Sequence, residues 1–198
     1  MVVDGQIVAE APGPPLVGGV VLAQSFPVVV DGLAALDVHL ANYARTADGT
    51  LEAHLHDAHG RDVARWRLAG ARVVDNAWHR FRLAAPLDLP AGTLLTLVLR
   101  RGGGGRPVTA WTTAGDVYPP GALAIDGRAT GGDLAFRAVY RPGWRSGARH
   151  VLGTLPYPPA ATAGLLWGLF ASALALAGLV LAPAPAADAA DAGPRGDR

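Results

Sequence analysis

The sequence predicts an all-β protein, an antiparallel β-sandwich of about nine strands, followed by one C-terminal transmembrane helix. Three observations carry that prediction. From Val20 onward, apolar residues alternate with polar ones in short runs, each closed by Gly, Pro, Asp or Asn. No helical apolar period competes with them before residue 150. Near the end, Thr162 to Ala182 reads TAGLLWGLFASALALAGLVLA, and no Asp, Glu, Lys, Arg or His occurs between Val151 and Ala187. A helix of about 20 such residues spans a hydrocarbon core ~30 Å thick.

Taken in order, residues 1–19 carry Asp4, Gly5, Pro12, Pro14 and Pro15 and read as a linker or as the truncated start of a longer chain. They lack the basic and long apolar regions of a secretory signal, so either the C-terminal span is itself the insertion signal or earlier spans are missing. The sandwich occupies residues 20–140. Its expected strands are Val20 to Phe26, Ala34 to Asn42, Thr50 to His56, Val63 to Leu68, Trp78 to Leu83, Thr93 to Arg100, Val108 to Thr112, Ala122 to Ile125 and Leu134 to Tyr140.

Alternation is clearest in TLEAHLHD, where Leu51, Ala53 and Leu55 share one face and Glu52, His54 and His56 the other. The same logic turns Leu36, Val38 and Leu40 inward, and sets Ala77, His79, Phe81 and Leu83 against Trp78, Arg80 and Arg82. Turn residues fall between the runs: Asp48-Gly49, His59-Gly60, Pro90-Ala91-Gly92, Gly102 to Gly105 and Asp126-Gly127. Residues 141–161 are Pro- and Gly-rich and form a juxtamembrane tether, with Trp144 and Tyr157 as interfacial anchors. The helix at 162–182 follows, and the Ala-, Asp- and Pro-rich tail at 183–198 reads as disordered.

Composition narrows function. In 198 residues there is room for one domain and the span, and not for a second catalytic domain. The net charge is +1 with 17% charged residues, so no electrostatic footprint argues for nucleic acid. With no cysteine, disulfides, thiolate nucleophiles and Cys-ligated zinc are excluded. No G-x-S-x-G occurs and no nucleophile pairs with a positioned base, so the chain is read as non-enzymatic and without a cofactor. Arg100, Arg101 and Arg106 flank four glycines, but the Lys-Ser/Thr and following helix of a phosphate-binding loop are missing.

The opening LAQSF, the run GLAALDVHLANYARTADGTLEAHLHDAHG, then DNAWHRFRLAAPLDLPAGTLLTLVLR and the closing YPPGALAIDGRATGGDLAFRAVY together resemble galactose-binding-like, or carbohydrate-binding-module-like, jelly-roll domains of bacterial glycosyltransferase-like membrane proteins. The resemblance implies a jelly-roll-like sandwich, placed outside the cytoplasm as an accessory domain facing glycan or lipid-linked sugar. Unlike those proteins, this chain carries one span and no transferase domain.

Sugar-binding sandwiches present aromatic rings to pyranose faces while polar neighbours bond the hydroxyls. Tyr43, Trp111 and Tyr118 lie at expected strand ends or loops and are the ligand-binding candidates, whereas Trp66 and Trp78 read as sheet-packing residues. His54 and His56, at i and i+2, share a strand face, and His59 beyond the turn, with Asp57, could complete a metal set. Solvent-facing strand positions hold polar residues of any kind, and that plainer reading is favoured. Within the span, Gly164, Gly168 and Ser172 recur every four residues, a stripe that lets a partner helix or a second copy approach closely.

Arg141, Arg145 and Arg149 precede the span and Arg195 and Arg198 follow it, a count that keeps the sandwich in the cytoplasm. The resemblance places it outside, and that orientation is expected. The function expected is therefore a single-pass, membrane-anchored, non-catalytic module binding cell-envelope carbohydrate. The alternatives are an assembly domain making protein contacts in a membrane complex, or the C-terminal fragment of a membrane glycosyltransferase.

Overall fold

The computed structural model of the chain describes residues 1–103 and 105–143. The expected membrane helix with Gly164, Gly168 and Ser172, the tether beyond residue 143 and the tail lie outside the described residues. Among the described residues, no helix is long and apolar enough to cross a membrane.

The described chain is all-β. Its strands are β1 (Val2–Gln6), β2 (Ala11–Pro12), β3 (Leu22–Pro27), β4 (Leu33–Ala41), β5 (Thr50–Asp57), β6 (Asp62–Ala69), β7 (Ala77–Leu87), β8 (Leu94–Arg101), β9 (Thr109–Thr112), β10 (Ala122–Ile125), β11 (Arg128–Ala129) and β12 (Phe136–Tyr140). Each run expected from alternation is present. The largest boundary difference is β7, which continues to Leu87; β3 and β12 each start two residues later than expected, at Leu22 and Phe136. Three strands were not legible in the pattern: β1, β2 and β11.

Two antiparallel sheets result. In the first, β4 pairs along one edge with β7 and along the other with β12 and β9, end to end; β1 and β2 close that side by pairing with β12 and β9. The second sheet runs β11-β10-β3-β8-β5-β6. Only β5 with β6 and β10 with β11 are consecutive strands that pair with each other, and the connections on either side of β3, β4, β7, β8 and β9 cross between sheets.

The linker expected over residues 1–19 is therefore corrected: β1 and β2 belong to the first sheet. β1 pairs with β12 from Val2↔Tyr140 to Gln6↔Phe136, and β2 pairs with β9. Gly5 permits this approach: at φ +124°, a Cβ there would stand 2.5 Å from the Phe136 carbonyl oxygen. Gln6 is buried, and its side-chain amide donates to the Leu134 carbonyl at 2.6 Å. Pro12 falls on an edge strand, where its missing N–H costs no ladder bond.

Between the sheets lie the inward sets that the alternation marks. Leu36, Val38 and Leu40 meet Leu51, Ala53 and Leu55, all at most 1% exposed. Phe136 packs on Phe26 with ring centroids 5.4 Å apart and on Tyr118 at 5.3 Å. Each such Leu or Phe contributes about 1.5–3 kcal/mol by leaving water. At the open edges of β6 and β7, Trp66 tilts onto Phe81 at 5.8 Å and donates its indole N–H to the Arg82 carbonyl at 2.6 Å.

Two tyrosines belong to this core. Tyr118 is 6% exposed and its hydroxyl donates to Asp4; Tyr140 is fully buried. Burial, and for Tyr118 then its bond to Asp4, raises both phenols, Tyr140 to about 12. An unfolded phenol titrates near pH ~10, so their contribution is fully present below that pH and is lost as pH rises toward the folded values. A melting temperature lower at pH 11 than at pH 8 is expected, with tyrosinate absorbance appearing together with unfolding. Equal melting temperatures at the two pH values would contradict it.

Candidate functional site

The strand register brings loops 13–21, 42–49, 70–76 and 102–108 to one end of the sandwich. Two of them are tied together by Asp75. Its carboxylate accepts the Asn42 backbone N–H at 2.6 Å and the Ala44 N–H at 3.0 Å, while the Asn42 side-chain amide donates to the Val73 carbonyl at 2.8 Å. Tyr43 and Ala44 are held at φ 57° and 54°, and Asn76 at 52°. Left-handed backbone costs a residue with a Cβ about 1–2 kcal/mol, so two adjacent non-glycine residues there, Tyr43 and Ala44, record a conformation imposed by the Asp75 clamp.

That conformation turns Tyr43 outward, 37% exposed, with its hydroxyl donating to the Gly13 carbonyl at 3.3 Å. Trp111 stands on the neighbouring strand end, half-buried, and its indole N–H donates to the Asn76 side-chain carbonyl at 2.9 Å. Two of the three aromatic residues proposed from sequence are thus tied to loop 70–76, Tyr43 through the Asp75 clamp on its flanking residues and Trp111 through Asn76. The third is not: Tyr118 faces the core, so its ring is not offered to a ligand, and this corrects the sequence reading.

Behind Trp111, on the outer face of the first sheet, the rings stack. His39 lies 5.7 Å from Trp111 and 5.0 Å from Trp78, at 24° and 22° between planes, and the Arg137 guanidinium carbon sits 3.9 Å over the Trp78 ring. His39 pairs with Trp78 and Leu40 with Ala110, so the three rings form one row across β7, β4 and β9, with Arg137 capping Trp78. His39 Nδ1 and Arg137 Nε are buried in this row without a hydrogen-bond partner. Sequence reasoning missed His39 and Arg137 because each is a single polar residue whose neighbours come from other strands.

On the outer face of the second sheet, β5 projects Glu52, His54 and His56. His54 and His56 are brought together with Asp62 of β6 and not with His59: His54 Nδ1 lies 3.0 Å and His56 Nε2 3.3 Å from Asp62 Oδ1. His59 and Asp57 are spent on the β5–β6 turn. Asp57 accepts the backbone N–H groups of His59 and Arg61 and the Arg61 guanidinium, and the Arg61 backbone bond is the largest of the causes that lower its carboxyl to about 2. The metal set anticipated from sequence therefore keeps two of its histidines, and the bulge that aligns Asp62 is what a strand-by-strand reading cannot see.

The glycine loop after β8 is not a phosphate cradle. The Arg101 guanidinium donates to Asp48 and to the Gly103 and Arg106 carbonyls, and Arg100 donates to Glu52 at 3.0 Å. Both cations serve to hold the loop and the sheet surface.

A family model described as a family of unknown function, DUF6212, matches residues 4–149. A human protein, Protein crumbs homolog 2, is 34% identical over 130 residues, 59% of this chain and 10% of its own length. The chain therefore spans about a tenth of the curated relative it matches. No solved structure matches.

Proposed function

We propose that this chain, which belongs to the DUF6212 family, is a non-catalytic module binding cell-envelope carbohydrate at the Tyr43–Trp111 end of its sandwich. The observation that carries the reading is the pre-set loop. A backbone held in left-handed geometry by Asp75 presents an exposed tyrosine, and the next residue, Asn76, fixes the Trp111 indole. Strained conformations persist where the surroundings over-determine them, and they collect at binding sites. Rigid aromatic rings ringed by amide and carboxylate groups suit a pyranose, whose C–H face is apolar and whose rim is hydroxylated.

Connectivity supports the same reading. With β1/β2 and β9/β12 each counted as one interrupted strand, the first sheet is ordered first, eighth, third, sixth. The second is ordered second, seventh, fourth, fifth, with β10 and β11 added at its edge. Two interleaved Greek keys give that order, which supports reading the sandwich as jelly-roll-like. The apolar stretch 162–182 supports a single-pass membrane anchor; the extracytoplasmic placement of the sandwich, with glycan or lipid-linked sugar as its partner, rests on the resemblance to jelly-roll accessory domains.

The test uses the full chain in detergent on an array of envelope glycans. Specific retention by the wild type is expected, with loss of at least about tenfold in affinity, ~1.4 kcal/mol, for Tyr43→Ala combined with Trp111→Ala. Undiminished retention by the double variant removes this site.

A further inference from the structure

We propose that His54, His56 and Asp62 form a Zn²⁺ site on the outer face of the second sheet, remote in kind from the aromatic loop end and independent of it. The three residues each offer one ligand atom, and these atoms all lie within 4.8 Å of one another. Around a zinc ion with ligands at ~2.0–2.1 Å, tetrahedral geometry sets ligand atoms about 3.3 Å apart. The two His–Asp separations, 3.0 and 3.3 Å, already match those edges.

The set is built by strand geometry. His54 and His56 leave β5 on the same face, two residues apart. The β5–β6 ladder then shifts: Leu55 pairs with Ala64, but His56 pairs with Asp62, so Val63 is passed over. A bulge of this kind re-aims side chains, and here it places a carboxylate opposite the second imidazole. In regular register the residue opposite His56 would be Val63, and no third ligand would exist.

The surrounding groups fit a bound cation. Glu52 stands 3.8 Å from His54 Nε2, beyond hydrogen-bond reach, and adds a negative charge beside the set. Arg65 occupies Asp62 Oδ2, leaving Oδ1 as the ligand atom. The guanidinium side chains of Arg65, Arg67 and Arg100 are 66%, 80% and 52% exposed, so their repulsion is screened by solvent. Two imidazoles and one carboxylate suit Zn²⁺ and not Ca²⁺ or Mg²⁺, which take oxygen ligands. The three side chains, 12%, 27% and 27% exposed, border a recess shared with Gly60, Val98 and Arg100, which leaves a fourth position for water or a ligand atom.

The experiment is calorimetric titration of the untagged full chain in detergent with ZnCl₂. One equivalent is expected to bind, with affinity at least about tenfold weaker in both His56→Gln and Asp62→Asn, and unchanged in His59→Gln. Co²⁺ in the wild-type protein gives a readout that needs no variant, the intense visible absorption of a tetrahedral site. Absence of stoichiometric Zn²⁺ binding, wild-type affinity in His56→Gln or Asp62→Asn, or a Co²⁺ spectrum of the hydrated ion would each overturn the assignment.

Discussion

Asp133→Ala is expected to destabilise the sandwich by about 4 kcal/mol, more than truncation of any other polar side chain in the fold. Asp133 is 1% exposed. Its carboxylate accepts three N–H donors: the Val117 and Tyr118 backbones at 2.9 Å each, and the Gln24 side chain at 3.2 Å. Gln24 in turn accepts from the Leu134 backbone at 2.8 Å. The network fastens the excursion from β9 to β10 against β3 and β12. Truncation leaves the buried Tyr118 N–H and the part-buried Val117 N–H without an acceptor, each costing about 1–3 kcal/mol, and takes one of two acceptors from the Gln24 amide, which keeps the Ser25 carbonyl at 3.1 Å. Asp133→Asn retains one acceptor oxygen and is expected to cost about half as much. Urea denaturation of both variants measures this, and a loss below about 1 kcal/mol for the alanine would contradict it.

Arg80→Ala carries the second large effect, about 3 kcal/mol. Across β4 and β7, Arg80 grips Asp37 with two bonds, Nε to Oδ1 at 2.6 Å and an Nη to Oδ2 at 2.7 Å. The Asp37 side chain is 6% exposed, whereas that of Arg80 is 39% exposed. Deleting the arginine leaves a carboxylate buried without its counter-charge, and deleting both removes the cause of the penalty. The double variant Asp37→Ala/Arg80→Ala is therefore expected to be more stable than Arg80→Ala alone, a reversal that simple loss of contacts would not produce.

The sandwich was legible wherever one strand face is dry and the other wet. Leu51, Ala53 and Leu55 alternate with Glu52, His54 and His56, and nothing beyond period-two patterning is needed to place them. The pattern fails where pairing, not patterning, makes the strand. β1 contains Asp4 and Gly5, and β2 ends on a proline; both are ordered by the edges of β12 and β9, partners more than 90 residues away in sequence. Tyr118 was misplaced for a related reason. A tyrosine before two prolines resembles a loop ornament, but Gly121 lets the chain pass so close to β3 that a Cβ would stand 2.0 Å from the Ser25 carbonyl oxygen, and the ring beside it enters the core.

The candidate site was half legible by the same rule. Tyr43 and Trp111 advertise themselves as aromatic residues at strand ends. Asp75 and Asn76, which pin them, are ordinary turn residues until the fold sets them beside loop 42–49. Likewise Asp62 differs from fifteen other acidic residues in the chain only through the bulge that aligns it with His56.

The most direct measurement of the central claim is the affinity of Asp75→Ala for the glycan that the wild-type chain retains. Asp75 need not touch the sugar; it holds Asn42 and Ala44 so that Tyr43 faces outward. The expected result is a folded variant whose affinity falls by at least about tenfold, the loss also expected of the Tyr43→Ala/Trp111→Ala double variant. Wild-type affinity in Asp75→Ala would contradict the claim, because the loop end would then bind without the geometry on which the reading depends.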